Sequence, residues 1–444
     1  MVQIFKAGKA NKRQPSKSLV KGIKIEQLDH TGVGIVKQHA PLIFVQDALP
    51  GEVVDAQVSV RKKHYWHAKT TRILTKNSAR QAPFCPHSEI CGGCQMDFVE
   101  PEYLRTERKQ AIAQLLQKIA GIEEVNWQGD LFAPPLGYRR KARLAVDARD
   151  AKNKRLGYRK HNSNAVFSVE SCKVLTPKLA SILPNLRKWF EGVKQPQAIG
   201  HINLYDGDHS VLVHIRATKA LSPQTVQSLE ALGKSIEGVI TVAVGDNDIE
   251  TIWGDPVHIT YSPIEGVSIR VNANDFVQVN DQVNRQMVAQ TIDWLKSAGA
   301  HSVLDLFSGT GNFSLALGHQ GFHVQGIEGV ADMVERAQQN AQQLALKECK
   351  FACADLLDAN VVETILQPSY DAVLLDPSRE GAPEVCQRLN PATHPVVVYV
   401  SCNPASFARD TQYLINSGYT LEKIRLIEMF AYTKHTELMA CFSA

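Results

Sequence analysis

Nine cysteines are scattered through the 444-residue chain, and two groups of them sit where thiol chemistry needs them. In Val398-Tyr399-Val400-Ser401-Cys402-Asn403-Pro404 an apolar strand run ends on a cysteine, where its thiolate is accessible as a nucleophile. The second group is a C-x5-C-x2-C array of Cys85, Cys91 and Cys94, with Cys172 as the only other cysteine of the middle region. Four thiolates suit a structural zinc or an iron–sulfur cluster, and spacing alone does not separate the two. Cys349, Cys353, Cys386 and Cys441 read as ordinary buried cysteines. An odd, dispersed count argues against a disulfide framework and for a reducing compartment, so the expected location is cytoplasmic.

A second chemical signal lies in Val303-Leu304-Asp305-Leu306-Phe307-Ser308-Gly309-Thr310-Gly311-Asn312, where a buried strand runs through two close-set glycines into a helix. Glycine is needed where backbone must turn sharply and approach a ligand. Glu328 falls at the end of the next strand, 17 residues after Gly311, where a carboxylate can accept both hydroxyls of a ribose. Asp355 and Asp376 end the third and fourth strands on the same sheet edge. The loop lacks the third glycine of a dinucleotide site and a lysine for a triphosphate, so a nucleoside without phosphates fits better, and S-adenosylmethionine is such a ligand.

The elements that must hold these residues follow from periodicity. From residue 302 onward strands and helices alternate, and Val330, Val334, Ala337, Ala341 and Leu344 form one apolar helix stripe, which implies a doubly wound α/β sheet. Residues 22–74 instead read as five short strands separated by tight turns, among them Leu49-Pro50-Gly51, as in a small closed barrel. Residues 137–270 read as mixed strands and helices. The expected divisions are a basic flexible tail (1–15), an OB-like barrel (16–80), a central mixed α+β domain (81–270) and a Rossmann-like catalytic domain (271–444).

Charge is segregated along the chain. Residues 1–80 carry 15 Lys+Arg against 5 Asp+Glu, and residues 138–160 carry ten against two, on an otherwise acidic chain of net charge +4. Arg61-Lys62-Lys63-His64-Tyr65-Trp66-His67 interleaves cations with aromatic rings. Both patterns suit a polyanion, phosphates for the cations and unpaired bases for the rings. No apolar run approaches the roughly 20 residues of a membrane-spanning helix, and no apolar segment follows the N-terminal lysines, so neither a membrane anchor nor a secretory signal is expected.

Residues 16–76 resemble the TRAM domain, an RNA-binding module. The set Phe276-Val277-Gln278-Val279-Asn280, Asp305 to Gly311, Asp376-Pro377-Ser378-Arg379, Ser401-Cys402-Asn403-Pro404 and His435-Thr436-Glu437 resembles the RNA uracil-C5 methyltransferase family. With the barrel and cysteine array in front, the chain is most similar to its bacterial 23S ribosomal RNA branch, which modifies uracil 1939. The resemblance implies S-adenosylmethionine as methyl donor, Cys402 as the nucleophile adding to uracil C6 and Glu437 as the base removing the C5 proton. It also implies a cofactor site of Gln278, Phe307, Asn312, Glu328, Asp355 and Asp376, and a 4Fe-4S cluster on Cys85, Cys91, Cys94 and Cys172. The implied partner is 23S ribosomal RNA, with nothing demanding more than a monomer. Competing readings are a uracil methylase for another ribosomal or transfer RNA uridine, a radical S-adenosylmethionine methylthiotransferase, and a non-catalytic RNA-binding factor.

Overall fold

A computed structural model describes residues 18–245 and 249–444, so the expected basic tail lies outside the described residues. Its contacts define two compact units: residues up to Gln81 with Phe98–Ala111, and Ala82–Asp97 with Ile112–Ala444.

The first unit is built on one six-stranded sheet of β1 (Leu19–Lys24), β2 (Gln27–Leu28), β3 (Gly34–Val36), β4 (Leu42–Gln46), β5 (Val53–Arg61) and β6 (Tyr65–Thr75), in the order β1-β5-β6-β4-β3-β2. Strand alternation turns Val54, Ala56 and Val58 inward with Ile43, Val45 and Ala68, which makes the OB-like core. The hydrogen-bonded order has β1 and β2 at its two ends and is not a closed ring. The run from β1 to β2 is two strands, because the chain changes partner at Ile25 and Glu26, from β5 to β3. Phe98 and Val99 return to this unit: Val99 bridges Arg80, and the Arg80 guanidinium lies 4.5 Å over the Phe98 ring. Helix α1 (Pro101–Ala120) follows, and its later residues Ile112 and Leu116 are core of the second unit.

The second unit contains two seven-stranded sheets. The central one comprises β7 (Lys141–Asp147), β8 (Arg155–Arg159), β9 (Val166–Ser168), β10 (Ile199–Asp206), β11 (Val211–Ala217), β12 (Val239–Val244) and β13 (Glu250–Trp253). All neighbours are antiparallel except β11 and β12, which are joined through a crossover helix. Helices α2 (Pro177–Gly192) and α3 (Pro223–Ile236) start on Thr176 and Ser222 caps with proline in the first turn. They cover one face, burying Leu144, Leu156, Ile202, Leu204, Val213 and Ile215.

A short antiparallel pair, β14 (Thr260–Tyr261) and β15 (Ile269–Arg270), leads to α4 (Asp281–Ser297), capped by Asn280. The last sheet has the order β18-β17-β16-β19-β20-β22-β21, from β16 (Ser302–Leu306), β17 (His323–Glu328), β18 (Cys349–Cys353), β19 (Ala372–Leu375), β20 (Val396–Ser401), β21 (Thr420–Ile427) and β22 (Glu437–Ser443). The first five strands of that order are parallel, and β22 inserts antiparallel between β20 and β21. Alternate residues feed opposite cores: Val303, Leu374 and Val398 on one face, Leu304, Leu375 and Tyr399 on the other. Strand order reverses between β16 and β19, the place where an open α/β sheet leaves a crevice at its carboxyl edge. Cys349, Cys386 and Cys441 are buried as expected, whereas Cys353 is exposed, because it closes β18 at the sheet's edge. Among the described residues no helix is long and apolar enough to cross a membrane.

Candidate active site and cysteine cavity

The crevice at the strand-order reversal holds a cavity of about 370 Å³. The loop after β16 forms one wall, and its shape requires three left-handed residues, Phe307 (φ 68°), Gly309 (φ 58°) and Gly311 (φ 94°). A side chain at Gly311 would meet Leu315 at 2.8 Å, so the glycine lets the loop fold onto the following helix, α5 (Ser314–His319). Phe307 accepts the strain because its N–H and that of Ser308 both donate to the Ile327 carbonyl at 2.9 and 3.0 Å. Glu328, at the end of β17, accepts from the Gly309 and Val330 N–H groups at 3.0 Å each, which fixes its carboxylate beside the loop. Asn312 is oriented by a reciprocal amide pair with Asn284 of α4, at 2.9 and 3.0 Å.

The opposite wall carries Gln278, Asp376, Cys402 and Glu437. Cys402 follows β20, and Asn403 caps α6 (Pro404–Asn416) while donating its amide to the Arg379 carbonyl at 2.9 Å. Pro404 thus opens a helix as well as ending the strand. The loop after Asp376 is clamped from α6: Arg409 donates to the Glu380 carbonyl, and buried Asp410 accepts from the Ala382 N–H and the Tyr399 hydroxyl, each at 2.7 Å. Glu437 begins β22 and is 7% exposed, because β22 is an inner strand.

Burial sets the protonation states here. It pushes Glu437 up to about 8, helped by Asp376 and opposed by the Arg379 guanidinium. It pushes Asp376 up to about 7, with buried Asp305 adding repulsion. The Cys402 thiol rises to about 11, through burial first and then the Glu437 and Asp376 charges. The pocket therefore keeps protons near neutral pH, and its thiol and two carboxyls can exchange them with a substrate lying between them.

Six of the seven strand-edge or motif residues singled out on the methyltransferase half, together with Glu437, line this cavity: Gln278, Phe307, Asn312, Glu328, Asp376 and Cys402. Asp355 does not. It is exposed past the end of β18 and accepts the Leu357 N–H in a local turn. Phe276 and Thr310, inside the quoted motifs, also line the cavity, as does Tyr261, which no sequence signal points to. Arg140, from the basic 138–160 tract, turns inward instead of facing a partner. It is 3% exposed, donates to the Gln278 carbonyl at 2.9 Å and to Asp281 at 2.7 Å, and lies over the Tyr261 ring.

A second cavity, about 200 Å³, is lined by Cys85, Cys91, Cys94 and Cys172 together with Tyr138, Tyr158 and Phe167. The His87 and Gly93 N–H groups donate to the Cys85 and Cys91 sulfurs at 3.4 and 3.3 Å. Burial and the other three cysteines raise Cys94 to about 12. The C-x5-C-x2-C segment reaches Cys172 because it is pinned to the β8–β9 hairpin, through a Cys91–Lys160 bridge and the Gly92 N–H on the Arg159 carbonyl. Among the described residues no three His, Cys, Asp or Glu side chains converge tightly enough to hold a single metal ion.

Residues 263–442 match the model of the tRNA (uracil-5-)-methyltransferase family. The fold agrees with a solved Pyrococcus abyssi tRNA (uracil-54, C5)-methyltransferase in complex with S-adenosyl-L-homocysteine: TM-score 0.74 and 22% identity, covering 95% of this chain and all of that one. Full-length relatives narrow the class. A 23S rRNA (uracil(1939)-C(5))-methyltransferase of Alteromonas mediterranea is 40% identical over 95% of this chain and 87% of its own. One from Shewanella piezotolerans is 37% identical over 100% and 99%. The chain belongs to this 23S rRNA (uracil-C5)-methyltransferase family.

Proposed function

We propose that the protein methylates C5 of a uridine in 23S ribosomal RNA, uracil 1939 by the name its relatives carry, with S-adenosylmethionine as donor. The observation that carries the reading is the single cavity at the strand-order reversal, where Cys402, Glu437 and Asp376 face the glycine loop and Glu328.

Gln278, Phe307, Asn312, Glu328 and Asp376 would hold the donor, with Asp355 just outside the lining. The cradle fits: Gly309 and Gly311 let backbone approach, and Glu328 offers a fixed carboxylate to a ribose diol. Bound there, S-adenosylmethionine supplies an electrophilic methyl group on a cationic sulfur. Uracil C5 is too weak a nucleophile to take it unaided. The Cys402 sulfur bonds to C6, and the C5=C6 electron pair moves into an enolate over C5, C4 and O4. The thiol proton passes to Asp376 as the sulfur attacks, which leaves the Glu437 carboxylate free for the later step. Once C5 carries the methyl group, Glu437 takes the C5 proton, the C5=C6 bond re-forms and the thiolate leaves. Reaching this cavity requires the uridine to leave its stack.

The four-cysteine cavity fits a 4Fe-4S cluster: four thiols line one pocket, and two already accept backbone N–H bonds. The cluster would supply positive charge to four half-buried thiolates, and the methyl-transfer scheme uses no electron from it. Protein purified without oxygen should contain iron and a visible charge-transfer band. Iron-free protein would remove the assignment. For RNA binding we assign the barrel a stacking role, through Trp66 under the Arg61 guanidinium at 4.5 Å and the Phe44–His67 stack at 5.4 Å. The four-part division at residues 15, 80 and 270 remains part of this reading.

The deciding experiment uses ribosomal RNA carrying 5-fluorouridine. Fluorine cannot leave as a proton, so the enzyme should stall as a covalent adduct on a denaturing gel in the presence of S-adenosylmethionine. An adduct that survives Cys402→Ala would refute the assignment.

A further inference from the structure

The central sheet has helices on one face only, and its other face changes character along the strands. At one end Tyr205, Leu212 and Val239 join the apolar core shared with Ile259, Tyr261 and Val277. Toward the other end the same face becomes cationic. Strand alternation puts Arg143, Ala145 and Asp147 of β7 on it, and the register sets His201 of β10 opposite Ala145 and Arg216 of β11 opposite His201. Gly157 of β8 lies opposite Ala145, so Arg159, two residues on, belongs to the same face.

These side chains enclose an open groove of about 460 Å³, lined by Arg143, Arg149, Arg159, Asn164, Asp147 and His201 with small neighbours. Its one carboxylate is spent on Arg149, at 2.7 Å, which leaves the rest of the groove in cationic excess. Burial, Arg143 and Arg216 bring His201 down to about 4, so the ring is neutral and its Nδ1 accepts from the Arg143 guanidinium at 3.0 Å. That bond aims Arg143 along the groove. Apart from His201 the lining has no aromatic ring, so a base finds nothing to stack on, while a phosphate finds several guanidinium groups. The strand also gives direction: at about 3.3 Å per residue, Arg143 stands roughly 10 Å from Arg140, which touches the Gln278 carbonyl at the catalytic cavity.

We propose that this open face of the central sheet is a track for the phosphodiester backbone of the RNA flanking the target uridine, with Arg143, Arg149 and Arg159 as its phosphate contacts. The proposal rests on the RNA methyltransferase reading and adds to it where the strand runs. Contact is through backbone charge, so it is independent of sequence and sensitive to salt.

The test is binding of a fluorescent ribosomal RNA fragment containing the target uridine, measured by anisotropy across a salt series. The Arg149→Ala/Arg159→Ala double variant removes two exposed side chains and should bind about tenfold more weakly. Its plot of log affinity against log salt should be shallower by roughly 1 to 2, about 0.7 for each lost phosphate contact on a single strand. Lys188→Ala/Lys194→Ala, an equal charge loss on exposed residues of the helix-covered side, should match wild type in both. Unchanged affinity and slope in the arginine variant, or an equal loss in the lysine control, would overturn the track. A wild-type chain that binds no RNA would overturn it too. If wild type binds with the expected salt slope but transfers no methyl group, the methyltransferase reading fails and the track stands.

Discussion

Replacing Glu437 by glutamine should separate catalysis from stability. The side chain is buried, and its carboxyl is raised from 4.5 to about 8, chiefly by burial. Because the folded chain holds this proton more tightly than the unfolded one, its stabilising contribution is complete below pH 4.5 and is lost as pH rises through about 8. A shift of this size corresponds to a loss on the order of 4 kcal/mol by pH 9, part of it shared with the repelling Asp376. The isosteric amide cannot ionise, so Glu437→Gln should melt near wild type at pH 5 and several degrees higher at pH 8.5, by differential scanning calorimetry without RNA. The same variant should turn over more slowly by a factor of about 10² to 10⁴, the usual worth of a positioned base, and should accumulate methylated RNA bound to Cys402. A melting difference that does not grow with pH would refute the burial argument. Turnover within threefold of wild type would refute the role of base.

Three further outcomes follow from described contacts. Glu328→Gln removes the charge of the group fixed beside the glycine loop, and calorimetric affinity for S-adenosylmethionine should fall about tenfold, near 1.4 kcal/mol. Arg140→Lys keeps the buried charge but loses the paired hold on Gln278 and Asp281. It should weaken donor binding several-fold with a modest loss of melting temperature, whereas Arg140→Met, which leaves Asp281 with Arg285 alone and removes the buried charge from the Gln278 carbonyl, should lose more stability. Trp66→Ala should weaken RNA binding by a factor of roughly 5 to 100, from about 1–3 kcal/mol of base stacking, while leaving donor affinity at the wild-type value in the same titration.

The residues legible in the sequence are those whose position depends on strand ends. Glu328, Asp376 and Cys402 close strands of a parallel sheet, and parallel strands bring their carboxyl ends to one edge whatever the loops do. Glu437 was different, since alone it reads as a surface carboxylate on a terminal strand. Its burial depends on β22 inserting between β20 and β21, a pairing no local pattern encodes. Asp355 also follows a parallel strand, yet the turn after β18 keeps it out of the cavity lining. A charge count does not sort the basic tract: Arg140 and Arg143 are three residues apart, yet one is buried over Tyr261 and the other faces solvent. The central sheet is opaque at one point: β7 pairs with β10, across the β8–β9 excursion and helix α2, while every other neighbour in its order is also next in the chain.

The first unit is discontinuous: residues 82–97 leave it and Phe98–Ala111 come back, bringing buried Phe98, Val99 and Leu104. A module of that kind cannot be gained or shed by a single cut or fusion at one point. Truncation after Gln81 would strip Val99 of its bridge to Arg80 and Phe98 of its covering guanidinium, leaving an apolar stub on whatever remained. Anyone transplanting the barrel as a separate module would have to carry both pieces, rejoined by a new linker. In an ancestral chain the same interleaving would tie inheritance of the barrel to inheritance of the cysteine segment threaded through it.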